Sequence, residues 1–351
     1  MTLPLVAGLL LAGCAVAIEP PAATPTPAPE LARPTPEPRL PPLPEPEANA
    51  EASCPSPFPQ DAGLVTTADV RLTPTATEAP PLSPFAPLAL VTEPDLEAAL
   101  QARLDREEEG TFGVVVKRID DGRGAAINPR AVFYAASLYK TAVMLETFHQ
   151  RDAGLLDLAE PYVVSDYYAG FDLGPGALRR CQVVTLHEAL RAMMAVSDNV
   201  AAVLLQDRVG SRFVNEALQA LGARDTGLLA EDLPTTAADQ ALLMEAIVRG
   251  KAVSREASQE MLNLLGSETF DFGVPAGLPE GTLVAHKTGQ WHNATHDAGI
   301  VFAPSGVYVI AVLTDLGFES AASGLIADVS RLVYEYFEER YPATPAPAEE
   351  G

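Results

Sequence analysis

Ala136-Ser137-Leu138-Tyr139-Lys140 opens an apolar segment that continues through Thr141, Ala142, Val143, Met144, Leu145 and Phe148, and its reading decides what the rest of the chain must be. In a helix, residues three apart share a face, so the Ser137 hydroxyl and the Lys140 amine come within reach of each other. A nucleophilic serine needs an adjacent base in this way. A serine three residues before a lysine is also common by chance, and its ordinary reading is two surface residues. Support must come from elsewhere in the chain.

Of the 351 residues, 48% are hydrophobic and 20% charged, enough for a full core, but 32 prolines are too many for one compact domain. Twenty-one of them fall between Pro20 and Pro94. Residues 15–92 therefore read as a disordered, proline-rich tether that cannot offset its ordering entropy by burial, although the apolar patch at 82–91 is a candidate for docking on the domain. A formal net charge of −24 argues against nucleic acid or anionic lipid as the main partner, since both reward Lys and Arg. Cys14, Cys54 and Cys181 show neither metal-ligand spacing nor a disulfide framework, and sequence leaves Cys54 free to pair with Cys181 or with another chain.

Residues 3–11 are apolar but too few to span a bilayer, and Leu11-Ala12-Gly13-Cys14 resembles the cleavage and lipidation site of bacterial lipoprotein precursors. That resemblance implies a signal peptide over 1–14 and a lipid on Cys14, holding the protein outside the cytoplasm on the bacterial cell membrane. No Lys or Arg precedes the run, a departure from the usual export signal; the alternative is a buried apolar stub with a free thiol.

The folded domain is expected over 93–340, with a loose tail over 341–351. Leu96, Leu100 and Leu104 recur at helical spacing; 112–118 and 125–127, around the turn Asp121-Gly122, predict a hairpin. The segment 161–180 reads as a long loop. Thr185-Leu186-His187-Glu188 is a capping box, and further helices are expected over 200–205, 213–221, 237–248 (capped by Thr235 or Thr236), 254–265 and 320–338. Strands are expected over 282–287, 298–302 and 307–314. Strands at both ends of a run of helices predict an α+β fold.

Three motifs then stand in order: Ser137 with Lys140 opening a helix, Ser197-Asp198-Asn199 after a capped helix, and Lys287-Thr288-Gly289 on a strand. Over about 94–338 this set resembles the class A β-lactamase and penicillin-binding protein superfamily of active-site serine hydrolases. The resemblance implies an antiparallel five-stranded sheet flanked by helices with an all-helical subdomain, no cofactor and no metal. It implies as substrate a small β-lactam or a peptidoglycan stem peptide. It also implies roles: Ser137 as nucleophile, Lys140 as base, Ser197 as proton relay, Asn199 on the substrate amide and Asp198 in the scaffold. Lys287 would add positive field, Thr288 would bind the substrate carboxylate, and Gly289 would leave room for substrate against the strand. The backbone N–H groups of Ser137 and Gln290 would receive the oxyanion. Against these stand plainer roles: Ser197 and Asn199 as helix caps, Lys287 as an exposed strand residue.

The chain departs from that family where the acyl-enzyme is hydrolysed. Between Gly222 and Pro234 the interval is contracted, and no glutamate is followed two residues later by asparagine. Glu231 and Asp232 are the nearest carboxylates, either substitutes for the deacylating base or ordinary acids before a helix N-terminus. A penicillin-binding DD-peptidase and a non-catalytic peptidoglycan-binding lipoprotein are the alternatives. His149, His187, His286, His292 and His296 invite a Ser-His-Asp triad, but no Gly-Xaa-Ser-Xaa-Gly elbow surrounds a serine, and His292 with His296 is a thin zinc set. They are expected at the substrate edge or on the surface.

Overall fold

The computed structural model describes residues 31–35, 79–107, 109–172, 178–229, 232–316 and 320–343; Cys14, Cys54 and Glu231 lie outside them. In chain order the elements are β1 (Val91–Thr92), α1 (Pro94–Leu104), β2 (Phe112–Arg118), β3 (Arg123–Ile127), β4 (Phe133–Tyr134), a 3-10 turn (Ala136–Leu138) and α2 (Tyr139–Asp152). There follow β5 (Pro161–Val163), α3 (Asp166–Ala169), β6 (Val183–Thr185), α4 (Leu186–Ala195), α5 (Asn199–Val209), α6 (Ser211–Leu221), β7 (Pro234–Thr235), α7 (Ala237–Val248) and α8 (Arg255–Leu265). A second 3-10 turn (Pro275–Gly277), β8 (Leu283–Trp291), β9 (Ala294–Ala303), β10 (Gly306–Thr314) and α9 (Ser320–Arg340) complete the chain.

The α+β fold is as expected, but the sheet has six strands, in the order β1-β3-β2-β10-β9-β8, instead of five. Five are antiparallel; the sixth is the two-residue β1, which runs parallel to β3 through Val91↔Arg123 and Thr92↔Gly124. Two residues are too few to show a period of two, which is why β1 is silent in the sequence. The expected loop over 161–180 likewise contains β5, paired with β6, and the single-turn α3.

Both faces of the sheet are covered, so its central strands are apolar throughout. Val114 and Val116 of β2, with Tyr308, Ile310 and Val312 of β10, pack with Leu96 and Leu100 of α1 and Val329 and Phe337 of α9. The alternate residues Val115, Val309, Ala311 and Leu313 join the larger core shared with α2, α4, α5, α6, α7 and α8. Within that core α2 is buried nearly all round, from Lys140 to Phe148 and again at Gln150. Two parts of the proline-rich stretch also lie on the domain: Leu31 is 5% and Leu82 9% exposed, and the Leu88 N–H donates to Glu245 Oε1 (2.7 Å).

Caps place the site's helices. Thr185 and Glu188 form the expected reciprocal box at α4, Thr236 instead of Thr235 caps α7, and Ser254 caps α8. At α5 the cap is Asp198, whose carboxylate accepts from the Ala201 N–H at 2.7 Å, so Ser197 and Asn199 are released from that role. Its second oxygen accepts from the Leu178 N–H at 2.9 Å, and the residue is 0% exposed. Asp198→Ala leaves both buried donors without an acceptor and is expected to destabilise the domain by about 3 kcal/mol, read by denaturant unfolding. Asp198→Asn, whose single amide oxygen can accept from only one of the two N–H groups, should recover at most about half of that loss.

Candidate active site

Ser137 lies on the 3-10 turn that runs directly into α2, so its backbone N–H and hydroxyl sit at the positive end of a 14-residue helix. The residue before it, Ala136, has φ = +46°, and Ser197 itself has φ = +55°. Left-handed backbone at a residue with a Cβ costs about 1–3 kcal/mol and persists only where the surroundings impose it. Both strained residues belong to the motif segments, which bring Ser137 and Ser197 to one cavity.

That cavity has a volume of about 620 Å³, and Ser137, Ser197, Asn199, Thr288, Gln290 and Asp232 all line it. Its remaining wall is strongly aromatic, with Tyr134, Tyr139, Tyr167, Phe171, Phe270, Phe272 and Trp291. Among the described residues no lysine or arginine lines it.

Lys140 lies behind this wall, 0% exposed. Its Nζ is 2.6 Å from the Ser197 carbonyl oxygen, 2.8 Å from Asn199 Oδ1 and 3.0 Å from Ser197 Oγ. Burial first, and then the nearby Lys287 cation, disfavour the ammonium and bring its pKa down to about 7. The neutral amine has two hydrogens and one lone pair. The carbonyl and the amide oxygen can only accept, so they take the two hydrogens, and the Ser197 hydroxyl is left to donate to the lone pair. Lys140 and Ser197 are thereby connected as a proton path.

Lys287 and Thr288 lie on β8, the edge strand of the sheet, and Lys287 is 0% exposed, not an exposed strand residue. A carboxylate with no signal in the sequence meets them: Glu268, in the segment after α8, whose side chain is 0% exposed. Its Oε1 accepts from Lys287 Nζ (2.5 Å) and from Thr288 Oγ1 (2.8 Å), and Oε2 from the Thr288 N–H (3.1 Å). Nineteen residues separate it from Lys287, outside any short motif. Because the Thr288 N–H points off the sheet edge, that of Gln290, two residues on, has the same direction, towards the cavity. At Gly289 a Cβ would lie 3.0 Å from the Ala135 carbonyl oxygen and 3.2 Å from Leu138 Cγ. Its missing side chain thus makes room for the serine turn, not for substrate.

His187 and His292 are exposed, as expected of surface residues, and none of the five histidines lines the cavity. His286 is buried on Asp297 at 2.9 Å; burial opposes its protonation, but the Asp297 charge and hydrogen bond outweigh this and raise its pKa. His296 is buried against the Tyr134 carbonyl and the Thr314 N–H, and burial lowers its pKa to about 4. No group of metal-ligating residues occurs among the described residues, and Cys181 is disulfide-bonded.

The fold and much of the sequence recur in known proteins. The chain is 27% identical to the extended-spectrum β-lactamase PER-1 of Pseudomonas aeruginosa over 284 residues, covering 71% of this chain and 92% of PER-1. Among solved structures it superposes with a TM-score of 0.67 on the acyl-enzyme complex of a PBP-A mutant with penicillin G, 27% identical, covering 73% of this chain and 100% of that one. A β-lactamase from Sphaerobacter thermophilus, 26% identical, superposes with a TM-score of 0.63 over 71% of this chain and 98% of its own. The model of the β-lactamase enzyme family matches residues 95–337, and the chain belongs to that family as a serine hydrolase of the class A β-lactamase type.

Proposed function

We propose that Ser137 is the nucleophile and Lys140 its base, and that β-lactams or related amides acylate Ser137 faster than water releases them. The observation that carries this reading is Lys140, a fully buried lysine poised near neutrality and hydrogen-bonded to Ser197 in the wall of the cavity that Ser137 lines. In the forward step Ser137 Oγ bonds to the carbonyl carbon and its proton passes to the Ser197 hydroxyl oxygen, as Ser197 gives its own proton to the Lys140 lone pair. As the C–N bond breaks, Ser197 gives a proton to the leaving nitrogen and is reprotonated by Lys140. The N–H groups of Ser137 and Gln290 receive the developing oxyanion, Asn199 holds the substrate amide, and Lys287, paired with Glu268, anchors the edge of β8 behind Thr288.

Release requires a group that activates water. Asp232, one of two described carboxylates on the cavity wall with Asp207, stands beside Leu233, and Glu231 is its chain neighbour. The short connection between α6 and β7 supports slow deacylation, as expected of a penicillin-binding enzyme, and Asp232 or Glu231 is a candidate base. Penicillin G is expected to add its mass to Ser137 in a stoichiometric burst followed by slow turnover, with no adduct on Ser137→Ala, by intact-protein mass spectrometry. An unmodified wild-type protein after long incubation would sink this reading.

Only the neutral amine can take the serine proton, so the acylation rate should rise with pH through about 7 and level off above it. A stopped-flow pH profile checks this; a profile flat between pH 5.5 and 8.5 contradicts it. Lys140→Arg, which cannot lose its proton, should abolish the rise together with nearly all acylation.

Residues 93–340 form the hydrolase in this reading, carried by 15–92 from a lipid on Cys14 and followed by a tail over 341–351. The lipobox-like Leu11-Ala12-Gly13-Cys14 supports an extracytoplasmic, membrane-anchored protein, and no helix among the described residues is long and apolar enough to cross a membrane. In a bacterial host, labelled palmitate should enter the wild-type protein and not Cys14→Ser; equal labelling of both removes the anchor.

A further inference from the structure

Glu268 occupies the place where a substrate carboxylate would look for its partners. A threonine hydroxyl has one hydrogen and two lone pairs. Thr288 directs its hydrogen to Glu268 Oε1 at 2.8 Å, so towards the cavity it presents lone pairs only. The Thr288 N–H is taken by Oε2, and the Lys287 ammonium is paired with the same carboxylate at 2.5 Å. With no lysine or arginine on the described wall, this end of the cavity offers an incoming anion a hydroxyl oxygen with a neutral ion pair behind it.

We infer that Glu268 is a positioning residue that sets substrate selectivity: by holding Lys287 and the Thr288 hydroxyl, it turns this end of the site from a carboxylate receiver into one that favours an uncharged or hydrogen-bond-donating group. The inference rests on Ser137 being the acylated residue. The favoured substrate class is an amide whose neighbouring carboxyl is esterified, amidated or absent. A free carboxylate meets no net positive charge there and gains no charge-assisted hydrogen bond.

The test compares acylation of Ser137 by penicillin G and by its methyl ester, which differ only in that carboxyl. In Glu268→Gln the oxygen at the Oε1 position still accepts from Lys287 and from the Thr288 hydroxyl, but the negative charge is gone. The Lys287 charge behind Thr288 is then no longer cancelled. The ratio of kcat/KM for acid over ester is expected to rise about tenfold or more, because the freed positive charge attracts the acid and not the ester. A structural role alone would move both substrates together and leave the ratio unchanged, which overturns the inference.

Thr288→Val gives a second reading that leaves the Lys287–Glu268 pair in place. If the wild-type hydroxyl gives no hydrogen to the substrate, this change alters the acid-to-ester ratio by less than about twofold; a fall of tenfold or more overturns the inference. Absence of any adduct on wild-type Ser137 with either compound removes the serine reading itself, a result distinct from an unchanged ratio.

Discussion

The buried amine of Lys140 is the constraint on which the site depends. Placing an ammonium in the interior of a helix packed on all sides costs several kcal/mol unless the group is paired or loses its proton. Among the described residues no carboxylate is a hydrogen-bond partner of this amine; its partners are the Ser197 carbonyl, the Ser197 hydroxyl and Asn199 Oδ1. The protein therefore accepts a lysine near neutrality, and what would be a defect in a structural core becomes a base. All three contacts come from the start of α5, so that helix must begin at one place. Asp198 secures it by capping the first turn and tying in Leu178, and the left-handed backbone of Ser197 turns both its carbonyl and its hydroxyl to the amine.

A second constraint acts from the other side. β8 passes so close to the serine turn that a Cβ at Gly289 would press on Ala135 and Leu138, which fixes the distance between the edge of the sheet and Ser137. The strained Ala136 stands on the same turn. Strain at Ala136 and Ser197 is tolerated because the elements around them are themselves held: α2 by burial, α5 by its cap, β8 by nine residues of ladder with β9. Preorganisation here amounts to several rigid elements each denying the others a relaxed alternative.

The parts legible in the sequence are those governed by local rules. The β2–β3 hairpin shows as two β-prone runs around Asp121-Gly122, α4 as a capping box, and the three motifs in their order bring the site together. What escaped notice depends on tertiary context. β1 pairs through two residues; the cap of α5 falls on Asp198 although Ser197 and Asn199 are equally good capping types; His286 and His296 are buried by the sheet and not displayed at its edge. Glu268 is the clearest case, because a carboxylate after a helix reads as an ordinary surface acid until the fold lays it along β8. Gly289 was legible as an obligatory glycine, yet the neighbour that needs the space is the serine turn.

The two lysines of the site show one physical problem met in opposite ways. Both Lys140 and Lys287 are 0% exposed, and the Lys287 cation disfavours the charge on Lys140. Had both been given carboxylate partners, neither amine would be free to take a proton from Ser137. Had neither, two unpaired buried cations would oppose folding. Pairing Lys287 with Glu268 while surrounding Lys140 with neutral oxygen atoms separates the tasks. One lysine keeps an ion partner and anchors the edge of β8; the other is free to act as a base. The cost of this division falls on the Thr288 side, where the carboxylate that settles Lys287 also takes the donors a charged substrate would seek. In this fold, then, the choice of which lysine to neutralise with an acid is also a choice about substrate.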